Sequence, residues 1–175
     1  NSWVRNVSAT VNVASAENPV PSVDLDSLKA NKQELTESQL TEFYQNLKTS
    51  GLARGALLQT IQQCWSGDSD ALAWLECSES TANDAFLFHP ALADGALQLL
   101  AVILQERGSQ KSHNDLYLPV AMKRFRLYRT GTAGVWAHTT RADANETSGI
   151  LECDVSFYDT NGSLVAEITG VTFKH

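Results

Sequence analysis

His89-Pro90-Ala91-Leu92-Ala93-Asp94-Gly95-Ala96-Leu97-Gln98-Leu99-Leu100-Ala101-Val102-Ile103-Leu104 is the stretch on which the fold turns. Pro90 suits the first position of a helix, where its missing N–H costs nothing, and Gly108 stands where a helix would end, so the pattern predicts a helix from Pro90 to about Arg107. Leu92, Ala96, Leu97, Leu99, Leu100, Val102, Ile103 and Leu104 cover nearly every side of it. A helix apolar all round is a buried one. Segments of strand character surround it: Leu57 to Trp65, Ala71 to Cys77, Leu116 to Arg129, Gly134 to Arg141, Ile150 to Tyr158 and Leu164 to Phe173. Asn161-Gly162 between the last two predicts a hairpin, since both residues tolerate the positive φ of a tight turn. The expected architecture is α+β, one long central helix wrapped by a curled antiparallel sheet.

Upstream, Thr36 and Gln39 make a capping box ahead of Leu40, Phe43, Tyr44 and Leu47, and Gly51 stands at the far end, predicting a short amphipathic helix at 36–49. Trp3 to Val13 alternates like a strand, while Ser15 to Pro21, with Pro19 and Pro21, reads as a linker. The sole methionine is Met122 and the chain opens on Asn1, so the numbering is expected to begin inside something larger or after processing.

The bulk properties exclude several classes. A formal net charge of −7 opposes nucleic-acid binding, which needs a surplus of Lys and Arg against phosphates. Three cysteines, Cys64, Cys77 and Cys153, are odd in number and far apart, fitting neither a disulfide framework nor a zinc site, and are expected in the core. No apolar run approaches the roughly 18 residues of a membrane span, and a cytoplasmic protein is expected.

On the buried helix the few polar residues line up: Asp94 and Gln98 four apart, and Gln105 seven beyond. A buried carboxyl must be paired, hydrogen-bonded or held protonated, and the last state is what a general acid requires. The alternative is a first-turn aspartate favoured by the helix dipole.

The segment His89-Pro90-Ala91-Leu92-Ala93-Asp94-Gly95-Ala96-Leu97-Gln98 resembles the H-P-x-x-x-D-x-x-x-Q segment of the second hotdog unit in polyketide synthase dehydratases. The flanks are similar too: Trp3 to Val13 to the last strand of that family's first hotdog, Ser15 to Leu28 to its linker, Phe43-Tyr44-Gln45 to the helix before the second hotdog, and Leu118-Pro119-Val120 to a Leu-Pro stretch lining the substrate tunnel. The resemblance implies a single hotdog fold, with residues 1–14 a strand left from the preceding hotdog, 15–35 a linker and 36–175 the hotdog unit. It implies that Asp94 protonates a departing β-hydroxyl, that Gln98 holds Asp94, and that His89, Pro90, Leu118, Pro119 and Val120 border the tunnel.

The family's catalytic histidine lies in an H-x-x-x-G-x-x-x-x-P motif that this sequence lacks; His89 belongs to the aspartate's own motif, and His113, His138 and His175 have none around them. Where the family commonly has Tyr-Gly-Pro-x-Phe, this chain reads Arg54-Gly55-Ala56-Leu57-Leu58. The basic run Lys123, Arg124, Arg126 and Arg129 is either a solvated edge or, through Arg124 and Arg126, a contact for phosphopantetheine phosphate or an acidic acyl carrier protein.

The implied activity is dehydration of a β-hydroxyacyl thioester carried on the phosphopantetheine of an acyl carrier protein, with no metal or other cofactor. The isolated chain is expected to be inactive, and to self-associate or need the missing first hotdog. The rival readings are a non-catalytic dehydratase-like remnant and a double-bond-shift or cyclisation variant; a homodimeric thioesterase of the same fold ranks below both.

Overall fold

The computed structural model describes residues 7–13, 20–77, 86–106, 116–131, 133–142 and 149–175, without the side chain of Glu106. The central helix α3, Pro90–Glu106, forms as the pattern requires. Its expected end at Arg107 and Gly108 lies outside the described residues. Leu92, Ala96, Leu99 and Ile103 are fully buried and Leu100, Val102 and Leu104 nearly so. Each large side chain buried there contributes roughly 1.5–3 kcal/mol.

The sheet that covers α3 has eight antiparallel strands: β1 (Gln33–Glu34), β2 (Ile61–Ser66), β3 (Asp70–Glu76), β4 (Leu118–Ala121), β5 (Arg124–Leu127), β6 (Gly134–Arg141), β7 (Ile150–Tyr158) and β8 (Leu164–Lys174). Their order is β1-β2-β3-β6-β7-β8-β4, with β5 also pairing β8, so among the described residues the sheet is open at both ends. Alternate residues point at the helix: Ala71, Ala73 and Leu75 of β3, Val135 and Ala137 of β6, Val155 and Phe157 of β7. This is the expected hotdog arrangement. Cys64, Cys77 and Cys153 are buried in the same core, where desolvation pushes the Cys153 thiol up to about 12.

Two tight contacts fix α3 on the sheet. Thr139 of β6 donates its hydroxyl to the Ala96 carbonyl at 3.0 Å. Gly95 lies so close to Thr60, just before β2, that a Cβ there would strike the Thr60 hydroxyl.

The sequence expectations need four corrections. Leu116 to Arg129 is two strands, because β8 bends at a bulge where Gly170 takes φ +63° and donates to the Asp154 carboxylate at 2.6 Å; β4 pairs one side of the bend and β5 the other. Leu57 to Trp65 becomes a strand only at Ile61, since Ala56–Leu58 form a 3-10 turn. In the β7–β8 hairpin only Gly162 has positive φ, +77°. Asp159 closes that turn, its carboxylate accepting from Asn161 N and Ser163 N, both at 2.9 Å. Finally, Val7 to Val13 are exposed and in no strand, having no paired neighbour to complete a ladder; residues 1–6 of that expected strand lie outside the described residues.

The expected linker 15–35 is partly structured. Residues 14–19 lie outside the described ones, but Pro21 and Val23 hydrogen-bond to Leu164 and Gly162, and helix α1 (Leu25–Lys29), capped by Asp24, follows. It brings Lys29 over the indoles of Trp65 and Trp136, at 4.8 and 4.5 Å, on the sheet face turned away from α3. On that face Asp70 of β3 pairs with Lys32 at 2.8 Å and His138 of β6 at 2.7 Å.

Helix α2, Glu37–Thr49, follows the sequence expectation closely. Thr36 and Gln39 form the capping box. At the other end Gly51 N bonds Lys48 O and Leu52 N bonds Leu47 O, the paired bonds of a Schellman stop.

Candidate active site

A cleft opens between α2, the polar stripe of α3 and β4, with Asp94, Gln98 and Gln105 along one wall. Leu97, Ala101 and Leu104, on the same side of α3, supply its apolar lining, with Phe43, Leu47, Tyr117, Leu118, Pro119 and Phe173 opposite and around. The cleft encloses about 70 Å³, against the roughly 300–1,000 Å³ of pockets that engulf a drug-sized ligand.

Asp94 is in the second turn of α3 and the first turn carries no acid, so its place is not that of a dipole-stabilising first-turn residue. Its contacts are lateral. Gln98 Nε2 donates to Asp94 Oδ2 at 2.7 Å and to the Leu58 carbonyl at 3.0 Å. Gln98 is 5% exposed, so its amide is a fixed support rather than a mobile surface group. The 3-10 turn explains the second bond: it turns the Leu58 carbonyl inward to the helix. On the other carboxyl oxygen, Oδ1, Arg54 Nη2 lies at 3.5 Å, and the Asp94 side chain retains 30% exposure toward the cleft. The Tyr44 hydroxyl, which accepts from Ile61 N at 3.3 Å, sits nearby, and burial pushes its phenol up to about 12.

The remaining sequence candidates divide. Leu118 and Pro119 line the cleft, whereas Val120, His89 and Pro90 do not. His89 accepts from Ala91 N at 3.2 Å through Nδ1, a helix-capping bond, and packs edge-on against Phe86. Arg124 and Arg126 also lie away from the cleft: Arg124 faces Glu167 at 3.8 Å, and Arg126 stacks on Tyr128 at 4.8 Å. Lys123 and Arg129 pair with Glu152 and Asp159 at 3.4 and 3.1 Å. Each cation of the run thus has its own acidic or aromatic neighbour. Arg54, by contrast, is marked only by the resemblance, whose Tyr-Gly-Pro-x-Phe stretch it opens in altered form, and not by any spacing. It is one arginine in a connection after α2, and no spacing rule ties it to a carboxyl forty residues later.

Comparison with known proteins shows the family. A family model described as the polyketide synthase dehydratase N-terminal domain matches residues 23–175. The dehydratase domain from the CurK module of curacin polyketide synthase superposes with a TM-score of 0.75 at 29% identity, over 88% of this chain and 52% of that one. Variants of that domain that replace a histidine with phenylalanine or an aspartate with asparagine are described as inactive mutants. The dehydratase domain from the CurF module gives 0.77 at 26% identity, over 91% of this chain and 54% of that one. Polyketide synthase PksN of Bacillus subtilis (strain 168) is 25% identical over 162 residues, 91% of this chain and 3% of that protein. The chain therefore spans about half of the solved dehydratase domains and a small part of the synthase. With the family match running from residue 23 to the last residue, this chain belongs to the polyketide synthase dehydratase family.

Proposed function

We propose that the chain is the acid-bearing second hotdog of a dehydratase that acts on β-hydroxyacyl thioesters tethered to an acyl carrier protein. The observation that carries this reading is Asp94 at the cleft wall, held by the buried Gln98 amide at 2.7 Å. Elimination needs a base for the α-proton and an acid for the leaving hydroxyl. As the Cα–H bond breaks, its electrons form the double bond, the Cβ–O bond breaks, and Asp94 delivers the proton that turns the departing oxygen into water. Gln98 keeps the carboxyl in a single orientation, which saves reorganisation at the moment of transfer. The base comes from outside this chain, since the family's histidine motif is missing from the sequence. The apolar wall of Leu97, Ala101 and Leu104 suits an acyl chain.

The position as second rather than first hotdog rests on the His89-to-Gln98 motif. The test is reconstitution. The isolated chain incubated with a β-hydroxyacyl carrier protein should show no loss of water by mass, and adding a first hotdog that bears the histidine motif should switch turnover on. Turnover by the isolated chain above a protein-free control would refute the division of acid and base between two units. Silence after the first hotdog is added, with complex formation verified, would favour the non-catalytic remnant.

A further inference from the structure

The sheet face turned away from α3 carries a row of tryptophans that the dehydration chemistry does not use. Trp65 of β2, Trp136 of β6 and Trp74 of β3 stand side by side, with successive ring centroids 5.6 and 5.5 Å apart. One end of the row is already occupied. The Lys29 ammonium lies 4.8 Å from the Trp65 ring and 4.5 Å from the Trp136 ring, and the Lys29 side chain is only 29% exposed, so its stem is laid down and its charge is held at the indoles. The chain itself shows what this row accepts: a lysine carried by a segment that runs over the sheet.

The other end of the row is open. Trp74 and Trp136 are cross-strand partners, and the next pair on the same face is Glu76 and Gly134. A Cβ at position 134 would meet Trp74 Cζ2 at 2.6 Å, so the glycine makes room for the indole beside Glu76. Gln62, Gln63 and Thr160 complete a groove around the two rings, and these three and Glu76 are exposed, which leaves it open on its outer side. Among the described residues no cation pairs with Glu76 and none stacks on Trp74. Indole faces and a carboxylate both attract a cation, and the amide oxygens of Gln62 and Gln63 can accept from an ammonium, which has three donors and no acceptor. An acidic group would be repelled by Glu76. A groove this open does not enclose a small free cation, whereas it admits the arm of another chain, and a net charge of −7 draws basic partners. We propose that the groove of Trp74 and Glu76 docks a lysine side chain of a partner polypeptide, repeating with a second chain the contact that Lys29 makes at the other end of the row.

The experiment is an NMR titration of the whole chain, read at the indole N–H signals of Trp65, Trp74 and Trp136. The probes are the acetylated and amidated peptide Ala-Lys-Ala, the same peptide with norleucine in place of lysine, and choline as a free organic cation. Norleucine keeps the apolar stem and removes the charge. The lysine peptide should shift the Trp74 and Trp136 signals and bind more tightly than either of the other probes. Trp74→Leu and Glu76→Gln should each weaken it roughly two- to five-fold, the worth of an exposed cation–π contact or surface ion pair. Glu76 is exposed, so Glu76→Gln leaves the core untouched and decides the matter alone if Trp74→Leu fails to fold. No shift at Trp74, or equal binding of the lysine and norleucine peptides, overturns the proposal. Shifts confined to Trp65 overturn it too, as does unchanged binding in either folded variant. Tighter binding of choline than of the lysine peptide would make the groove a site for small cations, which also overturns it.

Discussion

Burial alone would push the Asp70 carboxyl up, but hydrogen bonds from Lys32 and His138 outweigh it and hold the group below its ordinary value of 3.8. The folded form therefore binds its proton less tightly than the unfolded chain. The stability that Asp70 contributes is full above that ordinary value and is lost as pH falls through the folded one. Asp70→Asn should melt earlier than wild type at neutral pH, with the gap closing progressively in acid below about 3.8. A gap that stays constant through that range would show that the ion pairs are not its source. Neither Lys32 nor His138 carried a sequence signal toward Asp70, because the three meet only through the β3–β6 register and the path of the chain after α1. Asp94 and Gln98 were legible for the opposite reason: both lie on one helix, where positions i and i+4 share a face whatever the rest of the chain does. Arg54 and the Leu58 carbonyl reach the same site from a loop and a 3-10 turn, which have no period to read.

The elements followed the same rule of locality. The bounds of β6 and β7 and the start of α3 agree with their apolar patterns, and α2 follows its capping box. The break between β4 and β5 was hidden because its cause is in another strand, the bulge of β8 at Gly170. The seating of α3 against the chain entering β2 likewise depends on a pair distant in sequence, Gly95 and Thr60. Gly95→Ala would drive a methyl group into the Thr60 hydroxyl and lift the helix next to Asp94. Overpacking of this kind costs typically about 1–3 kcal/mol. The double variant Gly95→Ala with Thr60→Ala should recover most of that loss, since it removes the obstructing hydroxyl. Chemical denaturation checks both. No loss in the single variant would mean that α3 is not held by this contact.

For the molecule as a whole, the open sheet decides behaviour. Leu118, Val120, Met122 and Phe125, on and between β4 and β5 at the sheet's end, are each 41% or more exposed, and Phe86 and Leu87 just before α3 are exposed as well. An open sheet end carrying exposed apolar side chains finds a partner. The chain alone should therefore associate at micromolar concentration, and charges at Val120 and Phe125 should make it monomeric without unfolding it. Light scattering that finds a monomer in the unmodified chain would contradict this.

The central claim, that Asp94 is the acid of a two-hotdog dehydratase, is tested most directly by the turnover of Asp94→Asn in a protein with the first hotdog restored. Asparagine keeps the shape and can still accept from Gln98, and the partly exposed Arg54 pair is worth no more than about 1 kcal/mol, so thermal stability should be nearly unchanged. Turnover should fall by roughly 10²–10⁴-fold, the contribution of a positioned proton donor. Full turnover in a folded Asp94→Asn protein would contradict the account.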